Sequence, residues 1–148
     1  TEAFVDAMNN KAKTIGMDAS TFADASGLDQ RNTSTASDLG RMVSAAYGYD
    51  VIRQVSTAAS YIVETDNYRP TQYRNSNALI SNKDWDIGLS KTGFIREAGH
   101  CLVMQAQIST RNLIIILLDG RGKMTRVGDA NRIKRWLELS QAKNNQVS

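Results

Sequence analysis

Residues 87–118, IGLSKTGFIREAGHCLVMQAQISTRNLIIILL, decide the fold. Ile87–Ile95, Gly99–Ile108 and Leu113–Leu118 read as three strands, joined by the short connectors REAG and STRN. Connectors of that length fit antiparallel hairpins, whereas a parallel crossover needs about a dozen residues or more. The third strand, LIIILL, is apolar without alternation, which predicts protein on both of its faces. Three strands with a doubly buried member are not a finished sheet. Something else is expected to cover or extend them.

Helices are expected on either side of this meander. Phe4, Met8, Ala12 and Ile15 recur on one helical face, and Gly16 is placed to end that helix. A loop rich in Asp, Ser, Asn and Gly follows. Thr35 and Asp38 have the spacing of a capping box ahead of DLGRMVSAAYG, whose buried stripe is Leu39, Met42, Val43 and Ala46. Asp50 is expected to cap a short third helix, Val51–Val55. SYIVETD, residues 60–66, alternates and is β-branched, the pattern of a strand. Pro70 is read as a break, and residues 73–85 as a loop with one apolar turn. Residues 125–143 close the chain as an amphipathic helix with Val127, Ala130, Ile133 and Leu137 on its apolar face. The polar tail after Lys143 is expected to fray. The result is one unit, residues 1–148, with helices over 1–56, strands over 57–119 and a terminal helix over 124–143. This is an α/β chain of the α+β type, an antiparallel sheet flanked by helices.

A chain of 148 residues, 41% of them apolar, suffices for one domain with a modest core and argues against a disordered tail. No apolar run approaches the ~18 residues of a membrane span. No basic stretch with an apolar signal core opens the chain, and the first residue is Thr1 rather than Met, as in a processed or truncated chain. A single cysteine, Cys101, excludes an internal disulfide, and its apolar surroundings predict a buried core thiol. The single histidine, His100, has no thiolate or carboxylate cluster with which to hold a metal and is read as structural. Charge is uneven: residues 1–90 hold 8 basic and 11 acidic side chains, residues 91–148 hold 10 and 4. The basic half suits an anionic ligand such as a peptide carboxylate. The blander reading, a solvated helix face carrying Arg126, Arg132, Lys134 and Arg135, weighs more. No aromatic residues interleave with this run, so nucleic acid is not expected.

Lys91, Thr92 and Gly93 stand together inside the first predicted strand. A lysine ammonium attracts a carboxylate or eases proton transfer at a neighbouring hydroxyl. Thr92 offers a hydroxyl donor to the same carboxylate. Gly93 lets a ligand approach the backbone, so that an extended peptide can add along the strand, with the Phe94 amide aimed at a developing oxyanion. That requires the strand to lie at a sheet edge or line a cleft. Otherwise the triplet is a chance match and its glycine marks a bulge.

K-T-G is also the third element of the set S-x-x-K, S-x-N and K-T-G found in penicillin-binding proteins and serine β-lactamases. It lies here in a strand that opens a meander followed by a terminal helix, the placement that set requires. Residues 88–107, GLSKTGFIREAGHCLVMQAQ, resemble the corresponding stretch of the low-molecular-mass D-alanyl-D-alanine peptidases. Residues 16–39, GMDASTFADASGLDQRNTSTASDL, are similar to their G-x-x-x-T-x-F…G-L-D…S-T-A-x-D-L segment. The resemblance runs from about Phe4 to Leu139 and favours the D-alanyl-D-alanine endopeptidase type, the penicillin-binding protein 7-like subtype. It implies the serine β-lactamase/D,D-peptidase-like transpeptidase fold, incomplete in this chain, which would be the C-terminal half of one peptidase domain. It implies a periplasmic serine hydrolase acting on peptidoglycan cross-links, acylated by β-lactams, with no metal or organic cofactor. Lys91 would support the S-x-N serine and the substrate charge, Thr92 would contact the substrate, and the Phe94 amide would share the oxyanion with the amide of the nucleophile.

The nucleophile itself is missing. The one S-x-x-K match, Ser140–Lys143, lies on the wrong side of K-T-G and is attributed to chance, and no S-x-N occurs. The expected partner is therefore an N-terminal fragment of the same protein carrying both motifs, held non-covalently after cleavage at an exposed loop. The short distance from Lys91 to the last residue would leave no room for the extra β-domain and membrane anchor of related carboxypeptidases. Two other functions stay open: a non-catalytic peptidoglycan-binding module, and a serine β-lactamase relative, against which the peptidase segments argue. The roles of Arg96 and Glu97 and the choice between cross-link and terminal D-alanine also stay open.

Overall fold

The computed structural model describes residues 2–65 and 68–146. Helix α1, Glu2–Thr14, turns Ala12 into the interior but leaves Phe4 exposed, so the predicted stripe is buried only over its second half. Gly16 ends it as expected. At φ 77° it takes the left-handed conformation, while Met17 N–H donates to Ala12 C=O (2.9 Å) and Gly16 N–H to Lys13 C=O (3.0 Å), a Schellman closure.

Helix α2, Ala36–Tyr47, is capped by Thr35, whose hydroxyl accepts from Asp38 N–H (3.2 Å). The reciprocal half of the predicted capping box is absent. The Asp38 carboxylate is buried and accepts instead from Ala19 N–H (2.9 Å), the Ser20 hydroxyl (2.7 Å) and the Arg41 guanidinium (2.8 Å). It ties the preceding loop to the helix. Helix α3 runs Asp50–Thr57, longer than Val51–Val55. Its N-cap is Tyr49 rather than Asp50, because the Asp50 carboxylate pairs with Arg53 one turn on.

Strand β1, Ser60–Thr65, pairs antiparallel with β2, Tyr68–Arg74. The last residue of the predicted strand, Asp66, lies outside the described residues. Strand β2 corrects the reading of Pro70 as a break. The proline sits beside a register shift between Val63 and Thr65, in a two-stranded ribbon where a missing N–H is tolerated. The expected apolar turn is a single 3₁₀ turn, Ala78–Ser81, with Leu79 buried.

The meander forms as read. Strands β3, Asp86–Ile95, β4, Gly99–Ile108, and β5, Arg111–Gly120, make an antiparallel sheet in the order β3-β4-β5. The STRN connector shrinks to Ser109-Thr110, because Ile108 already pairs with Arg111 and Ser109 adopts φ 55°. Helix α4, Thr125–Gln146, extends past Lys143, where fraying was expected. It covers one face of the sheet, where Leu102, Met104, Ala106, Ile108 and Ile115 pack with Ala130, Val127, Ile133 and Leu137. The indole N–H of Trp85 donates to Asn131 (2.9 Å) and anchors the helix. Helix α2 covers the other face through Leu39, Val43 and Ala46 against Leu89, Val103 and Ile116. Each fully buried side chain of this kind is worth about 1.5–3 kcal/mol.

Two expectations need correction here. Strand β5 is covered on both faces only at its centre: Ile114 and Leu118 remain 39% and 43% exposed, because α2 crosses the sheet at one place. The basic residues of α4 form a solvated face only in part: Arg132 and Arg135 are exposed, and Arg126 is not. Arg126 is buried and donates to the Cys101 carbonyl (3.2 Å), while Arg132 pairs with Asp129 and Lys134 with Glu138.

The β3–β4 turn depends on Gly99. Its φ is 65°, and a β-carbon there would stand 2.9 Å from the Asp119 α-carbon. Gly27 has φ 77° but nothing within 4 Å of such a carbon. Gly27→Ala is therefore expected to cost only the left-handed strain, about 1 kcal/mol. Gly99→Ala adds a backbone collision and should cost clearly more, both read by denaturant unfolding.

Candidate active site

Among the described residues, β3 is an edge strand whose one strand neighbour is β4. From Leu89 to Ile95 it pairs without interruption with Gln105 to Gly99. In an antiparallel strand the N–H and C=O of one residue point the same way, and successive residues point opposite ways. The N–H of Ser90 donates to the Ser56 hydroxyl of α3 (3.3 Å), so it points away from β4. The same parity carries the backbone groups of Thr92 and Phe94 to that outer edge. Helix α3 thus covers the edge as far as Ser90, and the edge opens at Thr92.

The side chains follow the same alternation. Lys91 is exposed, pairs across from Val103 on the α2 face, and its ammonium donates to the Thr92 carbonyl. The Thr92 hydroxyl lies 2.6 Å from the Ser76 hydroxyl, in hydrogen bond. Gly93 pairs with Cys101, and there is no bulge at this position. A β-carbon on Gly93 would meet only the Cys101 β-carbon, at 4.0 Å. The protein's own packing therefore does not demand a glycine there. The glycine of the bulge is Gly88, beside the register shift between Ile87 and Leu89, where a β-carbon would come within 2.4 Å of Gln105 Oε1. Phe94 is exposed and stacks on His100, ring centroids 4.2 Å apart. Arg96 and Glu97 are exposed in the β3–β4 turn.

Cys101 is not the buried core thiol that its neighbours predicted. It is half-buried, with Sγ on the Ala98 and Gly99 carbonyls (3.3 and 3.8 Å). Its cross-strand partner is a glycine, so nothing covers it from β3. Ser140 donates to the Trp136 carbonyl within α4 (2.8 Å), as an ordinary helix serine does.

Two grooves meet at Lys91 and Thr92. One, of about 540 Å³, runs between α2, α3 and β3 past Ser56, Arg74 and Ser76. The other, of about 630 Å³, runs past Phe22, Asn32 and Ser34 to Ile95 and Cys101. Met42 and Val103 join Lys91 and Thr92 on both. Mostly apolar walls with a few convergent polar groups are the make-up of a ligand site. Ser56, Ser76 and Asn77 were not singled out from the sequence. They sit in the end of a helix and in a loop, and only their placement beside β3 gives them a part.

Residues 1–122 match the family model of the D-alanyl-D-alanine carboxypeptidases, peptidase family S11. The chain belongs to this family. It is 44% identical over 140 residues to a D-alanyl-D-alanine endopeptidase of Pseudomonas aeruginosa, and 40% over 138 residues to that of Escherichia coli. These matches cover 94% and 93% of this chain but 45% and 44% of those proteins, so the chain spans about half the length of the curated relatives it matches. Among solved structures, the Streptomyces K15 DD-transpeptidase superposes with a TM-score of 0.80 at 26% identity, over 91% of this chain and 53% of that one. Penicillin-binding protein D2 of Listeria monocytogenes, solved with cefotaxime bound, superposes with a TM-score of 0.75 at 29% identity, over 89% and 53%. The antiparallel sheet flanked by helices is thus the fold of D-alanyl-D-alanine carboxypeptidase family structures.

The family segment resembling G-L-D forms one wall of the second groove and is held by a carboxylate. Asp24 accepts from the Ser26 hydroxyl and amide, the Asn32 amide group and Asp29 N–H. These bonds, the Ser26 hydroxyl first, outweigh desolvation and lower its pKa from 3.8 to about 2. The bonds favour the ionised form, so their contribution is complete above the ordinary carboxylate pKa and is lost as pH falls through about 2. An amide-resolved NMR titration is expected to show the Ser26 amide moving with a midpoint near 2, and no such transition at Ser26 in Asp24→Asn.

Proposed function

We propose that this chain is the substrate-strand half of a serine D,D-peptidase that cleaves peptidoglycan cross-links and is acylated by β-lactams. One observation carries the proposal. Lys91, Thr92 and Gly93 lie on a sheet edge that opens at Thr92 into a groove, with a glycine that the packing does not require. An extended D-amino-acid peptide would add along Thr92–Phe94 by main-chain hydrogen bonds. A serine from a segment N-terminal to this one would attack the carbonyl while its lysine neighbour takes the proton. The Phe94 amide and the amide of that serine would hold the oxyanion. The C–N bond then breaks, the proton passes to the leaving amine, and water releases the acyl group as the serine recovers its proton. Lys91 would hold the S-x-N serine and the substrate carboxylate, and Thr92 would donate to that carboxylate.

The proposal places the S-x-x-K helix and the S-x-N loop on the N-terminal portion of the same protein, covalently joined or held after cleavage, and the whole enzyme in the periplasm. Two features support the first of these. Among the described residues the outer edge of β5 is unpaired and Ile114 and Leu118 are exposed beside it. Helix α3 likewise exposes Val51 and Val55. Such faces are expected to be covered in the whole protein. No helix among the described residues is long and apolar enough to cross a membrane.

Intact-mass analysis of the whole protein with a labelled penicillin tests the proposal. One adduct on the portion bearing S-x-x-K is expected, and slow release of the label separates a peptidase from a β-lactamase. A protein that binds peptidoglycan but never takes label would be the non-catalytic module. Lys91→Ala is expected to lower the acylation rate about a hundredfold or more, by loss of proton-transfer support. Gly93→Val should keep stability within about 0.5 kcal/mol, as at a surface site, while acylation falls at least tenfold, about 1.4 kcal/mol of barrier. Unchanged acylation in either variant removes that residue from the mechanism.

A further inference from the structure

Thr92 carries one hydroxyl proton, and its direction matters if that proton is to reach a ligand carboxylate. The Ser76 hydroxyl stands 2.6 Å from Thr92 Oγ1, on the wall of the first groove. Ser76 is not held there by chance contact. Asn75 before it donates to the carbonyls of Ser56 (3.0 Å) and Ala58 (2.9 Å) and accepts from Asn77 N–H (3.0 Å). Asn77 after it is buried, accepts from Leu79 N–H (3.1 Å) and donates to the buried Ser90 hydroxyl of β3 (2.9 Å). Both neighbours of Ser76 are thus fastened, one to the end of α3 and one to β3 itself. The serine is pinned against the residue two places beyond Ser90.

We propose that Ser76 is a positioning residue that donates to Thr92 Oγ1 and so leaves the Thr92 proton for an anionic group in the groove. If Thr92 donated to Ser76 instead, it would have no proton left for the ligand. A bound carboxylate favours the first direction, because the chain Ser76 to Thr92 to carboxylate strengthens each bond in turn. The inference rests on the peptidase proposal above and adds to it the residue that sets the donor direction. Ser76 itself touches Thr92 rather than the reacting atoms.

The test compares the second-order rate of acylation of the whole protein by a penicillin, which carries a carboxylate, with that by its methyl ester, which does not. Ser76→Ala is expected to lower the rate for the acid about fivefold relative to the ester, because Thr92 keeps its proton but loses the donor that orients it, the worth of one neutral hydrogen bond. Ser76→Thr, which keeps the hydroxyl, should restore the wild-type ratio. Ser76→Ala in a Thr92→Val background should have no further effect on that ratio. An equal loss for acid and ester would mean a merely structural serine and overturn the inference, as would an unchanged ratio. If the wild-type protein is not acylated at all, the peptidase proposal fails and this inference with it. Acylation with an unchanged ratio in Ser76→Ala removes this inference alone.

Discussion

The hydrogen bond from Ser90 N–H to the Ser56 hydroxyl sets what the rest of the site can be. It marks which edge of β3 is spoken for and where that cover stops. A strand edge left bare along its whole length invites pairing with any other strand. Here α3 closes the edge up to Ser90, and the backbone of Thr92 and Phe94 is left on the outer edge, with Thr92 lining both grooves. The length of open edge is short, and it coincides with the lysine, the hydroxyl and the glycine.

Packing explains why that edge stays in place. Strand β4 is the most deeply buried element: Leu102, Met104 and Ala106 face α4 and Val103 faces α2, so β3 hangs from a strand clamped on both sides. The hydrogen-bonded residues 75–77 then brace β3 from outside the sheet. Such a polar network stabilises only when every member is satisfied. Asn75 and Asn77 are satisfied at both ends of their side chains. The site is therefore built on rigid elements, with Gly93 a position of β3 where a side chain would meet only the Cys101 β-carbon.

Family membership and the half-length coverage fit the same picture. Helix α3 and strand β5 keep exposed apolar residues, and two grooves meet beside Lys91. The covered faces, by contrast, need nothing more: α4 closes one side of the sheet completely enough that Ala130 and Met104 are fully buried.

Residue pattern alone determined the three-stranded meander, the helices around it and the placement of Lys91, Thr92 and Gly93 in the first strand, because alternation, short connectors and capping residues act within a few positions of the chain. The resemblance to the peptidase family was equally legible, since it rests on contiguous segments. Pattern failed where a distant partner intervened. Asp38 left the capping box for Ala19 and Ser20, Pro70 was absorbed by a register shift, Arg126 was drawn inward by the Cys101 carbonyl, and Cys101 was uncovered by the glycine opposite. Only the tertiary structure decided that β3 is an edge, that Gly93 is no bulge, and that Ser56 and Ser76 stand against the strand. The placement of Ser56 and Ser76 depends on contacts between residues 16 and 34 positions apart, and no local periodicity records them.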